Sequence, residues 1–183
     1  MELATERLIL REFQKDDWPD VLAYQSNPLY LQYYDWADRT PDDVQKFVHV
    51  FIAQQQELPR TKFQLAIVLK ANHQLVGNCG IRMESASAHE ADIGFELAPQ
   101  YWRHGYATEA TCAMLHFGYT ELGLHRIWAW CVADNIGSIR VLENLGMQLE
   151  GRLREKERFK GQWWDRLIFA ILDFEWQAQQ IEQ

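Results

Sequence analysis

The sequence predicts an α/β (α+β) fold: a mixed central sheet of about seven strands flanked by about four helices. Three observations predict it. Short apolar runs alternate with stretches of helical spacing along the whole chain. Capping and stop signals punctuate the helical stretches. A strand–helix–strand segment from Glu90 to Ala133 ends in a nearly continuous apolar run, Arg126 to Ala133, as expected of a strand buried on both faces by a parallel crossover.

Taken in order, Arg7 to Phe13 reads as the first strand. Asp16-Asp17-Trp18-Pro19 opens a helix with an acidic cap and Pro in its first turn. Thr40-Pro41-Asp42-Asp43 opens another, and Val44, Phe47, Val48, Phe51 and Ile52 lay one apolar stripe along it. Phe63 to Leu69 and Gln74 to Met83 form a hairpin around Ala71-Asn72-His73, and Glu90 to Leu97 is the fourth strand. Thr108 to Leu122 is helical and stops at Gly123. After the fifth strand, Gly137 to Leu145 is a short helix closed by Gly146. Gln148 to Phe159 and Trp163 to Trp176 make a last antiparallel pair around Lys160-Gly161. Residues 1–176 read as one domain, and residues 177–183 as a polar tail.

Composition narrows the function classes. With 183 residues, 48% of them hydrophobic, the chain can bury a sizeable core. A formal charge of −8 argues against direct nucleic-acid binding. No apolar run approaches the roughly 20 residues of a membrane span, and Met1 to Leu10 lacks a signal-peptide pattern, so a cytoplasmic protein without a membrane partner is expected. Cys79, Cys112 and Cys131 are scattered in apolar segments, which fits reduced, buried thiols. The histidines show no metal-ligand spacing, and no metal is expected.

Two segments carry chemistry. The fourth strand runs through a short loop, Pro99 to His104, into a helix that starts at Gly105-Tyr106-Ala107-Thr108. Free N–H groups at such a helix start converge and carry the positive dipole end, so a diphosphate is a natural guest. Gly105 permits close backbone approach, Ala107 keeps the first turn uncluttered, and Arg103 and His104 add possible cationic contacts. The glycine and lysine patterns of dinucleotide-binding and nucleoside-triphosphate loops are absent. The second segment is Asp134 to Met147. There Asn135 is either a helix cap or an amide donor to a ligand, and Ser138 shares a helix face with Leu142. On the fourth strand Asp92 and Glu96 alternate onto one face with Gly94 between them, while Ala91, Ile93, Phe95 and Leu97 take the other.

Together these segments resemble the GNAT superfamily of N-acetyltransferases, specifically its RimJ/RimL-type branch of ribosomal-protein N-acetyltransferases. The resemblance rests on Arg7 to Arg11, on Ile93 to Leu97 followed by Tyr101 to Ala110, on Asn135, Ser138 and Leu142 to Met147, on Glu150 to Arg154 and on Trp163-Trp164-Asp165. It implies a sheet splayed between the fourth and fifth strands with acetyl-CoA wedged between them. The pantetheine arm would pair with backbone at Phe95, Glu96 and Leu97. The pyrophosphate would meet Trp102, Arg103, His104, Gly105, Tyr106, Ala107 and Thr108, and Asn135, Ser138, Val141 and Leu142 would flank the arm. Arg103 stands where the branch usually has glycine, and Trp102 where many members have Gln or Arg. Leu142 occupies the position of the tyrosine acid used by much of the superfamily; Ser138 matches the serine that the RimJ/RimL-type branch offers instead, so the resemblance implies Ser138 as the acid.

The implied reaction moves acetyl from acetyl-CoA to a primary amine. A protonated amine is no nucleophile, so a carboxylate base is required, and Glu96 and Asp92 are both candidates. Tyr33, Tyr34 and Trp36 would border the acceptor groove. A protein N-terminal α-amine is the leading acceptor; an aminoglycoside, polyamine or other small amine is the alternative, as is a non-catalytic acetyl-CoA-binding sensor. Monomer and homodimer are both compatible with the sequence.

Overall fold

In a computed structural model, which describes residues 1–181, eight strands form one mixed sheet carrying six α-helices. The elements are β1 (Glu2–Ala4), β2 (Leu8–Glu12), α1 (Trp18–Gln25), α2 (Pro28–Leu31), α3 (Pro41–Gln54), β3 (Lys62–Leu69), β4 (Leu75–Met83), β5 (Glu90–Leu97), α4 (Tyr106–Thr120), β6 (Arg126–Val132), α5 (Ile136–Asn144), β7 (Gln148–Phe159), β8 (Gln162–Leu172) and α6 (Asp173–Ile181). The strand order is β1-β2-β3-β4-β5-β6-β8-β7. Only β5 and β6 run parallel; every other neighbouring pair is antiparallel.

That parallel pair is short. It holds from Glu90↔Arg126 to Asp92↔Trp128 and stops there. β5 stays paired with β4 as far as Leu97, and β6 with β8 as far as Val132. The two strands therefore part while each remains anchored on its outer side, and a wedge opens in the middle of the sheet.

Strand alternation sorts side chains onto two faces. On one, Leu8, Leu10, Leu65, Ile67, Cys79, Ile93 and Ile127 pack under Ala110, Met114 and Leu115 of α4, with Leu142 of α5 and Trp176 of α6. On the other, Ala66 and Val68 meet Val21 and Tyr24 of α1 and Val44 and Val48 of α3.

Local signals account for most boundaries. At α3, Thr40 Oγ1 accepts from the Asp43 N–H at 3.2 Å while the Asp43 carboxylate accepts from the Thr40 N–H at 3.0 Å, the reciprocal cap that the sequence predicts. At α1 the acidic cap is not made: the Asp17 carboxylate is drawn to the Arg11 guanidinium, at 2.7 and 2.8 Å, and to the Gln14 N–H. A two-oxygen guanidinium pair outweighs a single neutral N–H. The expected last strand ends at Leu172, not Trp176, because Asp173 and Glu175 accept from the Phe174 and Leu172 N–H groups and start α6. Residues 177–181, read from sequence as a polar tail, continue that helix; residues 182–183 lie outside the described residues. The short elements β1 and α2 carried too little periodicity to be read from sequence.

Candidate active site

The mouth of the wedge is a cleft of about 1050 Å³, lined by the end of β5, the start of α4, the end of β6, α5, and aromatic residues of α2 and α3. The backbone of β5 faces it in a definite phase. The Ala98 N–H donates to Val76 C=O at 2.8 Å, which fixes the antiparallel alternation with β4. Glu96 and Gly94 thus turn their main-chain groups to β4, whereas Ile93, Phe95 and Leu97 turn theirs to the β6 side, beyond the last parallel pair. Glu96, expected from sequence to share backbone pairing with its neighbours, contributes its side chain instead. The Leu97 carbonyl already accepts from Trp102 Nε1 at 2.7 Å, so Phe95 N–H and C=O and Leu97 N–H are the groups left to the gap.

At the start of α4 the chain winds through two left-handed residues, Arg103 (φ 64) and Gly105 (φ 81). A side chain at the first costs about 1 kcal/mol. No side chain caps the helix, and the first i−4 bond is Glu109 N–H to Gly105 C=O at 2.9 Å. The N–H groups of Tyr106, Ala107 and Thr108 precede that bond and sit at the positive dipole end. The Trp102 N–H, by contrast, donates to Pro99 C=O, so this residue contributes its indole and not its amide. The His104 ring packs against Tyr106 with Nδ1 at 2.8 Å from Trp102 C=O, and His104 is not among the cleft-lining residues.

Sequence reasoning missed the brace of this turn. Arg7 Nη1 donates to the His104 carbonyl at 2.9 Å, its Nε to Glu109 Oε2 at 2.6 Å, and its guanidinium lies 4.6 Å from the Tyr106 ring centroid. Burial pulls the Glu109 carboxyl upward, but bonds from Thr5 and Arg7 prevail and hold it below the ordinary carboxylate value of 4.5.

On α5, Asn135 is the helix cap: its Oδ1 accepts from the Ser138 N–H at 3.1 Å. Ser138 and Val141 line the cleft, and Leu142, 1% exposed, forms its floor.

The two candidate carboxylates fall in different surroundings. Asp92 sits within the last parallel pair and accepts from Arg82 Nε at 2.8 Å and from Arg82 Nη2. It lies outside the large cleft, in a separate hollow of about 360 Å³ with Lys62, Glu84 and Trp128. Glu96 lines the cleft and forms no ion pair among the described residues. Its Oε2 accepts from Asn78 Nδ2 at 2.8 Å, Gln25 Nε2 at 3.1 Å and Tyr24 OH at 3.2 Å. Its Oε1 has one long contact, Tyr34 OH at 3.5 Å. Burial and then the charge of Glu96 hold the Tyr24 and Tyr34 phenols well above the ordinary value of 10.0, so both are donors.

Of the expected acceptor-side aromatics, Tyr33 and Tyr34 line the cleft. Tyr33, in the turn after α2, donates to Asp134 C=O at 2.9 Å and meets Trp164 edge-on, tying that turn to the far wall. Trp36 stands behind Tyr34, stacked on it at 4.6 Å, and does not reach the cleft wall. Tyr30, in the same acceptor-side segment, does reach it. Its hydroxyl is buried and has no hydrogen-bond partner among the described residues. No group of three or more His, Cys, Asp or Glu side chains converges among the described residues, and none of their helices is long and apolar enough to cross a membrane.

A family profile described as "Acetyltransferase (GNAT) domain" matches residues 7–148, more than half of the chain. The chain belongs to the GNAT acetyltransferase family. It is 33% identical to the uncharacterized N-acetyltransferase YnaD of Bacillus subtilis, over 96% of this chain and 99% of that one. A crystal structure of a GNAT-family acetyltransferase from Bacillus anthracis aligns with TM-score 0.83 at 32% identity, covering 96% of this chain and 100% of that one. The fold is shared too with RimL, a ribosomal L7/L12 alpha-N-protein acetyltransferase solved in complex with coenzyme A, at TM-score 0.83 and 20% identity, over 94% of this chain and 99% of that one. The chain is thus a GNAT acetyltransferase whose mixed sheet has eight strands among the described residues.

Proposed function

We propose that this protein transfers the acetyl group of acetyl-CoA to a primary amine, with a protein N-terminal α-amine as the leading acceptor. The observation that carries the reading is a single cleft running from the uncapped start of α4, past the unpaired edge of β5, to the open oxygen of Glu96. The N–H groups of Tyr106, Ala107 and Thr108 suit a diphosphate. The free Phe95 and Leu97 groups suit an extended amide-bearing arm laid along β5 as an extra strand.

At the reacting end, Glu96 Oε1 takes the amine's proton, while the Oε2 side, held by three donors, keeps the carboxylate fixed. Asp92 is the poorer base, because a guanidinium on the carboxylate competes with any proton. The amine nitrogen bonds to the thioester carbon as the carbon–sulfur bond breaks. The Phe95 or Leu97 N–H faces the developing oxyanion, and the Ser138 hydroxyl meets the leaving sulfur as acid or hydrogen-bond donor. Support for an N-terminal acceptor is the length of cleft beyond Glu96, walled by Leu29, Tyr33, Phe47, Phe51 and Gln54, which has room for the residues that follow an α-amine. Free thiols fit a cytoplasmic setting; Cys79 and Cys131 are buried as expected, whereas Cys112 is only half-buried on α4.

The test is release of free coenzyme A thiol from acetyl-CoA with a panel of N-terminal peptides, polyamines and aminoglycosides. Turnover with peptides and not with small amines supports the leading acceptor. Turnover confined to small amines replaces it, and binding without turnover on any amine replaces the enzyme reading with a sensor.

A further inference from the structure

Among the described residues Glu96 pairs with no arginine or lysine directly, yet two arginines reach it through amides. Arg39 Nε donates to Gln25 Oε1 at 3.0 Å, and Gln25 Nε2 donates to Glu96 Oε2 at 3.1 Å. From the other side, Arg82 Nη1 donates to Gln64 Oε1 at 3.0 Å, Gln64 Nε2 to Asn78 Oδ1 at 2.6 Å, and Asn78 Nδ2 to Glu96 Oε2 at 2.8 Å. The linking amides are buried: Gln25 is 0%, Asn78 2% and Gln64 5% exposed. Each amide accepts on its oxygen and donates from its nitrogen in the same sense. The ends dictate that sense, because a guanidinium only donates and a carboxylate only accepts.

The sheet makes room for the longer chain. Gln64, Asn78, Arg82, Asp92 and Glu96 share one face of β3, β4 and β5, and two glycines on that face leave the space they cross. A Cβ at Gly80 would stand 2.0 Å from Gln64 Oε1, and one at Gly94 would stand 2.9 Å from Arg82 Nη2.

We infer that Gln25, Gln64 and Asn78 are positioning residues: they pass the donor polarity of Arg39 and Arg82 to Glu96 Oε2, fixing the carboxylate while leaving its charge and Oε1 to the acceptor amine. A direct guanidinium contact, as at Asp92, would fix a carboxylate equally well but would occupy the site an ammonium needs. An amide between cation and carboxylate transmits hydrogen-bond polarity without placing the guanidinium itself against the carboxylate, although Arg82 lines the same cleft. The inference rests on the reading of Glu96 as the amine-facing carboxylate, and it adds the machinery that makes it so.

The experiment replaces Gln25 and Gln64 by the near-isosteric, non-bonding Met, alone and together, in the wild type and in Glu96→Gln. Each single substitution is expected to raise KM for the amine about tenfold, with acetyl-CoA affinity unchanged and kcat less affected. In the Glu96→Gln background the same substitutions should add nothing, because the group they act through is gone. Full additivity in that background overturns the proposal. A second readout needs no turnover: the carboxylate stretching band of Glu96, isolated as the infrared difference between wild type and Glu96→Gln, should shift in both Met variants, and an unmoved band overturns the proposal. A chain that acetylates no amine would sink the enzyme reading while leaving the infrared result to decide the relay. If a buried Met variant fails to fold, Arg39→Met cuts the shorter relay at its outer end, and the same two readouts apply.

Discussion

Asp92 and Glu96 lie on one face of one strand, four residues apart, and the fold gives them opposite surroundings. Asp92 is opposite Trp128 in the closed part of the β5–β6 ladder, and its carboxylate is taken by Arg82. Glu96 lies past the end of that ladder, where β6 has moved away and the cleft replaces it. The same Arg82 reaches both: in contact at Asp92, and through two amides at Glu96. What separates a guanidinium-paired carboxylate from one that faces the cleft here is the place where two parallel strands stop pairing.

The most severe way to break the contrast is to neutralise each acid in turn. Glu96→Gln is expected to lower kcat/KM by roughly 10²–10⁴, the range for loss of a general base. Asp92→Asn should leave kcat/KM within a few-fold and cost about 1 kcal/mol of stability in denaturant unfolding, through the weakened, partly exposed Arg82 pair. Equal losses of activity would erase the distinction. Next in size, Gly105→Asp puts a charged side chain at a left-handed position beside the free amides of α4, and acetyl-CoA affinity measured by calorimetry should fall about tenfold or more. Unchanged affinity would move the diphosphate elsewhere.

Smaller again, Ser138→Ala should slow turnover several-fold, up to about tenfold, with acetyl-CoA affinity unchanged, since a thiolate leaves readily without strong acid help. A fully active variant removes Ser138 from the chemistry. The least effect concerns a third carboxylate, Glu109, which braces the turn and not the amine. Its folded-state value is lowered, so it binds a proton less readily folded than unfolded. The stability it adds is present above the ordinary value of 4.5 and is lost as pH falls below it. Glu109→Gln should therefore flatten the acid-side decline in thermal midpoint below that pH and cost about 1 kcal/mol at neutrality. An unchanged slope would deny Glu109 this role.

The strands and the long helices were legible because each carries its own period. The Val44–Phe47–Val48–Phe51–Ile52 stripe needs no partner to be recognised, and neither does the Thr40 cap. The turn at Trp102 to Thr108 was legible for a related reason: free amides at a helix start follow from backbone geometry alone. α6 was missed because Asp173 and Glu175 compete with an apolar run that ends only one residue earlier. Trp36 looked like a groove residue because aromatics near an acidic stretch carry no sign of which ring stands in front. Gln25, Gln64 and Asn78 left one signal that went unused, polar residues inside otherwise apolar elements.

By itself, then, the sequence determined the order of elements, the apolar faces, the family and the phosphate-turn candidate, all of them local properties of backbone and side-chain period. It put Asp92 and Glu96 on one face as equals. Only the tertiary structure set them apart, because the length of the β5–β6 ladder and the paths of two arginine–amide chains depend on contacts between residues up to 71 positions apart, and no local pattern encodes where such chains end.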